Sequence, residues 1–190
     1  MKSLLLFSSG INSTTALYLY KNNVDCLYIN YGQRASKQEI LHSKTLCNLL
    51  GLRLIVIDIP NLGERFNEGR EFKLHEPIMH KNIILLSIAL VYAKEKGYKE
   101  VIFPISCDTC EYEVQKPKIL EELVELSKLL DVKLTMPFLH LSKDLIVKMG
   151  KRLGVPYELT YSCVLGYKEH CKSCPKCEVR IKTFRENGIL

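Results

Sequence analysis

Apolar residues fall along this chain in short, mostly apolar runs, separated by longer stretches in which they recur every three or four positions. The runs are residues 4–7 (Leu-Leu-Leu-Phe), 24–31, 53–59, 101–105 and 132–136. The first is too short for a helix and too continuously apolar for a half-exposed strand, and 24–31 has the same character, which predicts strands covered on both faces of a parallel sheet; the other three runs are read as further strands of it. The stretches between them predict helices over about 11–21, 36–51, 81–97, 117–130 and 142–154. Ser36 followed by Glu39 is a capping-box pattern for the second of these, Gly97 ends the third, Pro117 opens the fourth, and Ser142 with Asp144 starts the fifth. Residues 61–76 lose both periods, with Gly63 and Gly69 among charges, and are predicted to form a flexible excursion or lid.

Strands alternating with helices predict an α/β chain: a Rossmann-like, open, mostly parallel five-stranded sheet with helices on both faces. Right-handed crossovers then bring the loops after the first, second and fourth strands to one edge. Ser8, Ser9, Gly10, Asn12, Ser13 and Thr14 fall there, with Tyr31, Gly32, Gln33 and Arg34, and with residues 106–116. The first group interrupts an apolar run with small polar residues just before a helix. Small side chains let backbone approach a ligand, and the first helical N–H groups point outward, so a phosphate or pyrophosphate is the natural guest. The plain alternative is an ordinary serine-rich helix start.

Composition adds the compartment and the metal. A chain of 190 residues with 47% hydrophobic and 25% charged residues holds one main core plus a small appendage. The start Met1-Lys2-Ser3 leads straight into a strand, and no run of about 18 apolar residues occurs, so a cytoplasmic protein with no membrane partner is predicted. Eight cysteines in that compartment are expected to be reduced. Four of them, Cys163, Cys171, Cys174 and Cys177, crowd into one short segment with two-residue spacings that let consecutive thiolates grip one centre. A closed tetrahedral zinc would be structural there, and an iron–sulfur cubane also suits four cysteines. His170 beside them reads as a supporting residue rather than a ligand. Cys26 and Cys47 sit in apolar surroundings and read as core; Cys107 and Cys110 form a further closely spaced pair, read as two reduced thiols near the pocket rather than a redox pair. The net charge of +6 is spread out, which is compatible with a phosphate-bearing substrate and does not single out nucleic acid.

Taken together, these motifs resemble a known family. The loop from Ser8 to Thr15 resembles the S-G-G-x-D-S-T loop of the N-type ATP pyrophosphatases, with Ser9 at the second glycine and Asn12 at the aspartate. Tyr31-Gly32-Gln33-Arg34, the pair Lys81-Asn82, the stretch Leu153-Gly154-Val155-Pro156-Tyr157-Glu158-Leu159-Thr160-Tyr161-Ser162-Cys163 and the remaining cysteines with Arg180 resemble the 7-cyano-7-deazaguanine synthases. Asn30 stands where that family carries an aspartate, Ala35 where it carries a histidine, and Lys81 where it carries an arginine.

The resemblance implies an adenine nucleotide alpha-hydrolase-like domain over residues 1–154 and a four-cysteine zinc-binding segment over 155–190. It implies a ligase that joins ammonia to 7-carboxy-7-deazaguanine at the expense of ATP, with Mg2+ on the phosphates, structural Zn2+ and a homodimer. Ser8, Ser9, Gly10, Asn12, Ser13 and Thr14 would hold the nucleotide, Gln33 and Asn82 the substrate, and Arg34 and Lys81 would act in catalysis. Two rivals stand beside it. One is a diverged paralogue that adenylates another carboxylate; the other is a non-catalytic zinc protein that binds a nucleotide or RNA.

Overall fold

The computed structural model describes residues 2–69, 76–78, 80–106 and 117–190. Five strands form one sheet: β1 (Ser3–Leu6), β2 (Val24–Asn30), β3 (Leu54–Asp58), β4 (Glu100–Ile102) and β5 (Lys133–Thr135). Their order across the sheet is β3-β2-β1-β4-β5, and every pairing is parallel. Alternation along β1 explains why its sequence is uniformly apolar. Leu4 and Leu6 pack into one layer with Leu27, Leu86, Leu90 and Leu123, while Leu5 and Phe7 pack into the other with Ala16, Leu17, Leu46 and Ile146. The edge strand β3 is only half covered, and Val56 is exposed.

The helices are α1 (Ile11–Tyr20), α2 (Ser36–Leu49), α3 (Asn61–Phe66), α4 (Lys81–Lys96), α5 (Pro117–Leu129), α6 (Lys143–Arg152) and α7 (Pro175–Glu186), with a 3-10 turn at Tyr157–Leu159. Helices α4 and α5 cover one face of the sheet; α1, α2 and α6 cover the other. Ser142 caps α6 by accepting from the Leu145 N–H, and Gly97 ends α4 in the left-handed region at φ 77°.

Three local expectations need correcting. Ser36 is the first residue of α2 rather than its cap, because the Glu39 carboxylate that would complete a capping box is drawn inward to Tyr28 and Gln33. Part of the expected lid is helical, since α3 occupies Asn61–Phe66. There Gly63 is required by contact, because a Cβ on it would lie 2.6 Å from the Tyr31 carbonyl oxygen. The four-cysteine segment continues into α7, whose lysines and cysteines hide its helical period.

The terminal segment shares its core with the main body: Val155, Tyr157 and Phe184 pack on Ile11, Tyr18 and Val147. Arg180, buried on α7, fastens it by donating to the Tyr157 carbonyl at 2.7 Å and to Thr160 Oγ1 at 2.6 Å.

Candidate nucleotide site and metal centre

Strand order reverses between β1 and β4, so the connections from their carboxyl ends splay apart and leave a crevice. The loop between β1 and α1 lies in it. Ser9 occupies the left-handed region at φ 55° and is fully buried. A side chain there costs about 1 kcal/mol, and the loop offsets it with hydrogen bonds: Ser9 Oγ donates to the Ser8 carbonyl at 2.6 Å and lies 3.3 Å from the Glu39 carbonyl, and the Tyr161 N–H donates to the Ser9 carbonyl at 2.9 Å. Ser13 Oγ accepts from the Ser8 N–H and donates to the Gly10 carbonyl, so it too holds the loop's shape.

Gly10 has a different reason to be small. It precedes α1 in an extended conformation with no capping side chain, and a Cβ on it would meet only ordinary contacts, 3.7 Å at the nearest. Packing tolerates a methyl there; what glycine leaves is bare backbone at the head of α1, where N–H groups face the crevice. The Thr14 hydroxyl is fully buried with no hydrogen-bond partner among the described residues.

Asn12 reaches across the crevice. Its Nδ2 donates to the Pro104 carbonyl at 3.2 Å and to Ser106 Oγ at 3.0 Å, which joins the loop to the end of β4. Its Oδ1 accepts from Lys143 Nζ at 2.5 Å. Lys143 escaped the sequence reading because a lysine in the first turn of a helix looks solvated. Its only sequence signal is its place directly after the Ser142 cap.

The second loop, after β2, is held from within. Gln33 is buried: its Oε1 accepts from the Tyr31 N–H at 3.0 Å, and its Nε2 donates to Tyr28 Oη at 2.7 Å and Glu39 Oε2 at 3.0 Å. Its amide therefore shapes the turn. Gly32 stands at φ 92° over the Pro60 carbonyl, where a Cβ would collide with the oxygen. Tyr31 Oη donates to Glu76 Oε1 at 2.7 Å, and Lys81 Nζ, 5.6 Å from the Tyr31 ring centre, pairs with Glu76 Oε2. Burial draws the Lys81 ammonium down to about 7, with the charge of Lys176 adding and that of Glu39 opposing. Asn82 follows it at the head of α4, half-buried. Arg34 is exposed, its guanidinium 5.9 Å from the Tyr167 ring centre, and Gly166 presses on its carbonyl. Arg34 thus faces the cysteine segment, while Lys81 sits among Tyr31, Glu76 and α4. Cys107 and Cys110 lie outside the described residues.

The four predicted metal ligands meet. The sulfurs of Cys163, Cys171, Cys174 and Cys177 all lie within 4.8 Å of one another, and those of Cys171 and Cys177 are 3.8 Å apart. Thiolates about 2.3 Å from one zinc sit roughly 3.8 Å apart in a tetrahedron, whereas a cubane spreads its cysteines wider. The donor set therefore fits a single ion. Backbone N–H groups of Ser173 and Cys174 point at the Cys171 sulfur and lower its pKa to about 6, despite burial acting the other way. His170 Nε2 accepts from the Ser162 N–H at 3.1 Å and is not among the clustered ligand atoms.

A parallel sheet whose switch point carries a bare-backbone loop, backed by a four-cysteine segment, defines a Rossmann-like α/β fold. Solved structures share that fold. A 4-thiouridine synthetase in complex with RNA and bound ATP is 19% identical with a TM-score of 0.61, over 97% of this chain and 50% of that one. The U34-tRNA thiolase NcsA from Methanococcus maripaludis with its [4Fe-4S] cluster is 17% identical with a TM-score of 0.56, over 98% of this chain and 65% of that one. The family itself is given by sequence: the model for the queuosine biosynthesis protein QueC matches residues 2–188, and the chain belongs to that family. The 7-cyano-7-deazaguanine synthase 1 of Sulfurisphaera tokodaii is 41% identical over 192 residues, covering all of this chain and 95% of the relative. The family is one of synthases, acting on small molecules in queuosine and archaeosine precursor synthesis.

Proposed function

We propose that this protein converts 7-carboxy-7-deazaguanine and ammonia into 7-cyano-7-deazaguanine with ATP. The observation that carries the reading is the β1–α1 loop at the switch point, with bare backbone at Gly10 and a helix N-terminus behind it, in a chain of this family. A carboxylate does not yield to ammonia because its leaving group would be oxide. The substrate carboxylate oxygen attacks the α-phosphorus and pyrophosphate leaves; ammonia then displaces AMP and a proton is lost, giving the amide. A second adenylation, on the amide oxygen, followed by loss of AMP and of the nitrogen's protons, gives the nitrile. The outward N–H groups of the loop hold the departing pyrophosphate, and Lys81, with Arg34 farther out, supplies fixed positive charge as the α-phosphate gains charge.

Ser8, Ser9, Gly10, Asn12, Ser13 and Thr14 are assigned to the nucleotide, Asn82 to the deazaguanine, and Gln33 to the turn that shapes its pocket. Cys163, Cys171, Cys174 and Cys177 hold one structural zinc, which supplies tetrahedral cross-linking and no open ligand position. Residues 8–14 carry no carboxylate, so magnesium is expected to arrive on the phosphates rather than on a ligand set within the loop. A homodimer in the cytoplasm accompanies this reading. Among the described residues no helix is long and apolar enough to cross a membrane.

The test is pyrophosphate release from ATP with mass spectrometry of the deazaguanine product. Release that depends on the deazaguanine acid, together with the nitrile mass, is expected. Release with another carboxylate alone would make the chain a paralogue of different substrate, and ATP binding without any release would make it a binding protein.

A further inference from the structure

We propose that Glu39 sets the specificity of the site for its base: one oxygen of its carboxylate accepts from the donor edge of the deazaguanine, where a ring N–H and an amino group lie side by side. The inference rests on the substrate reading above and adds to it the residue that recognises the base. Three positions after Ser36, Glu39 could have closed a capping box, and it is turned inward instead. Its Oε2 accepts from Tyr28 Oη at 2.8 Å and from Gln33 Nε2 at 3.0 Å. Both donors are buried, and Gln33 is held in turn by the Tyr31 N–H on its Oε1 at 3.0 Å. A helix-start pattern overridden by partners this rigid is expected where a side chain is kept in place for a site. A carboxylate offers about four acceptor positions, and Tyr28 and Gln33 take those on Oε2. Oε1 has no hydrogen-bond partner among the described residues and is not sealed in the core.

The residue stands between the elements that the substrate must touch. Its backbone carbonyl lies 3.3 Å from Ser9 Oγ in the β1–α1 loop. Its charge opposes the fall that burial and Lys176 impose on the Lys81 ammonium, and adds to burial in raising the Tyr31 hydroxyl. Glu76, the other carboxylate beside Lys81, has both oxygens engaged: Tyr31 Oη donates to Oε1 and Lys81 Nζ pairs with Oε2. Glu39 Oε1 is therefore an open acceptor beside the donors, the loop N–H groups and Lys81, that suit phosphates and the substrate's own carboxylate. Those anions it would repel. The far edge of the substrate has the opposite character. Its six-membered ring carries an N–H next to an amino group, two donors that the free positions of Oε1 can accept together. Because the bicycle is rigid, a carboxylate end held by cations and a donor edge held by Glu39 fix both its place and its direction. A base without the amino group leaves one of those positions unfilled.

Calorimetric titration with 7-carboxy-7-deazaguanine, and with the analogue that lacks the amino group, tests this on the parent and E39Q, with α,β-methylene ATP and magnesium present. The parent is expected to favour the amino-bearing acid by about tenfold or more, the scale of one hydrogen bond to a charged group. In E39Q the side-chain oxygen must stay on Gln33 Nε2, which can only donate, so the amide nitrogen faces the base and meets its donors. The variant should bind the amino-bearing acid about tenfold or more weakly and lose most of the preference between the two. Unfolding midpoints show whether E39Q has kept its fold, and the parent's own preference needs no variant. A parent that binds both acids alike overturns the proposal. So does a folded E39Q that binds as the parent does, the result expected if Glu39 served only to take protons from ammonia. Equal weakening of both acids, with the parent's preference intact, would make Glu39 a prop for the turn and overturns it too. Each of these results leaves the deazaguanine reading standing, whereas a parent that binds neither acid overturns both.

Discussion

The backbone N–H of Tyr161 donates to the carbonyl of Ser9 at 2.9 Å. Ser9 is the left-handed residue of the β1–α1 loop, and Tyr161 lies two positions before the first cysteine of the four-cysteine cluster. The Tyr161 ring stacks on His42 and also meets His170, with centroids 5.2 and 5.1 Å away, and its hydroxyl donates to the Tyr167 carbonyl. The segment that carries Cys163 into the four-cysteine cluster therefore also fixes the shape of the loop. Protein purified without chelator should contain about one zinc per chain by elemental analysis. The Cys174→Ser variant should lose the metal; a stability loss of about 3 kcal/mol would lower Tm by roughly 6–12 °C in a chain of this size. Nucleotide affinity should fall in the same variant. Metal-stripped protein that keeps its parent affinity would show that the loop holds its shape alone.

Arg180 offers a second check on the terminal segment. Its guanidinium donates to the Tyr157 carbonyl and Thr160 Oγ1, and lies 4.3 Å from the Phe184 ring centre. Burial lowers its pKa to about 10, so it stays charged at neutral pH. Arg180→Leu keeps bulk but strands those acceptors, and a loss of about 2–4 kcal/mol is expected. Denaturant unfolding measures it; a loss under about 0.5 kcal/mol would mean that water replaces the guanidinium.

How far these features could be read beforehand depended on whether their cause was local. Leu4 to Phe7 announced a buried strand because both faces of β1 are covered, and the cysteine spacing announced that the four sulfurs would meet because two-residue gaps suit a single centre. The capping box at Ser36 misled, since Glu39 has partners on β2 and in the following turn that outcompete the helix end. Helix α3 was obscured because Gly63 is present for its contact with Tyr31 and Pro77 rather than for chain flexibility. Lys143 was invisible for the same reason. Its partner Asn12 lies 131 positions away, and nothing in a first-turn lysine reports a contact across that distance.

Close packing beneath the loop makes a further prediction. Gly150 on α6 faces Tyr157, and a Cβ on it would collide with the tyrosine hydroxyl and lie 2.8 Å from its Cζ. That hydroxyl is paired with Thr15 Oγ1 at 2.9 Å, a bond that moving the ring would break. Gly150→Ala gains about 1 kcal/mol of helix propensity, yet overpacking of this kind costs typically about 1–3 kcal/mol. A net loss of stability is expected; a rise in Tm would mean that Tyr157 swings away freely.

Lys81 joins stability to chemistry through pH. Its folded pKa of about 7 lies well below the ordinary lysine value, with burial the first cause. Between about 7 and 10.4 the unfolded chain binds a proton that the folded chain has released, so stability should rise with pH across that window, and below it the full penalty of the buried charge applies. The Glu76 carboxylate at its Nζ opposes that penalty. In Lys81→Met the rise should flatten, which unfolding midpoints at about pH 7 and about pH 9.5 would detect. Catalysis should respond in the opposite sense. If the ammonium stabilises the charge that develops on the α-phosphate, turnover falls as pH climbs through about 7 and the lysine becomes neutral, and Lys81→Met lowers it by on the order of a hundredfold. Lys81→Arg separates the two effects: arginine stays protonated, so the falling limb should vanish from its pH profile even if its rate is lower. A Lys81→Met protein with parent turnover, or a Lys81→Arg protein with an unchanged falling limb, would reduce Lys81 to a residue that merely pairs with Glu76 at the head of α4.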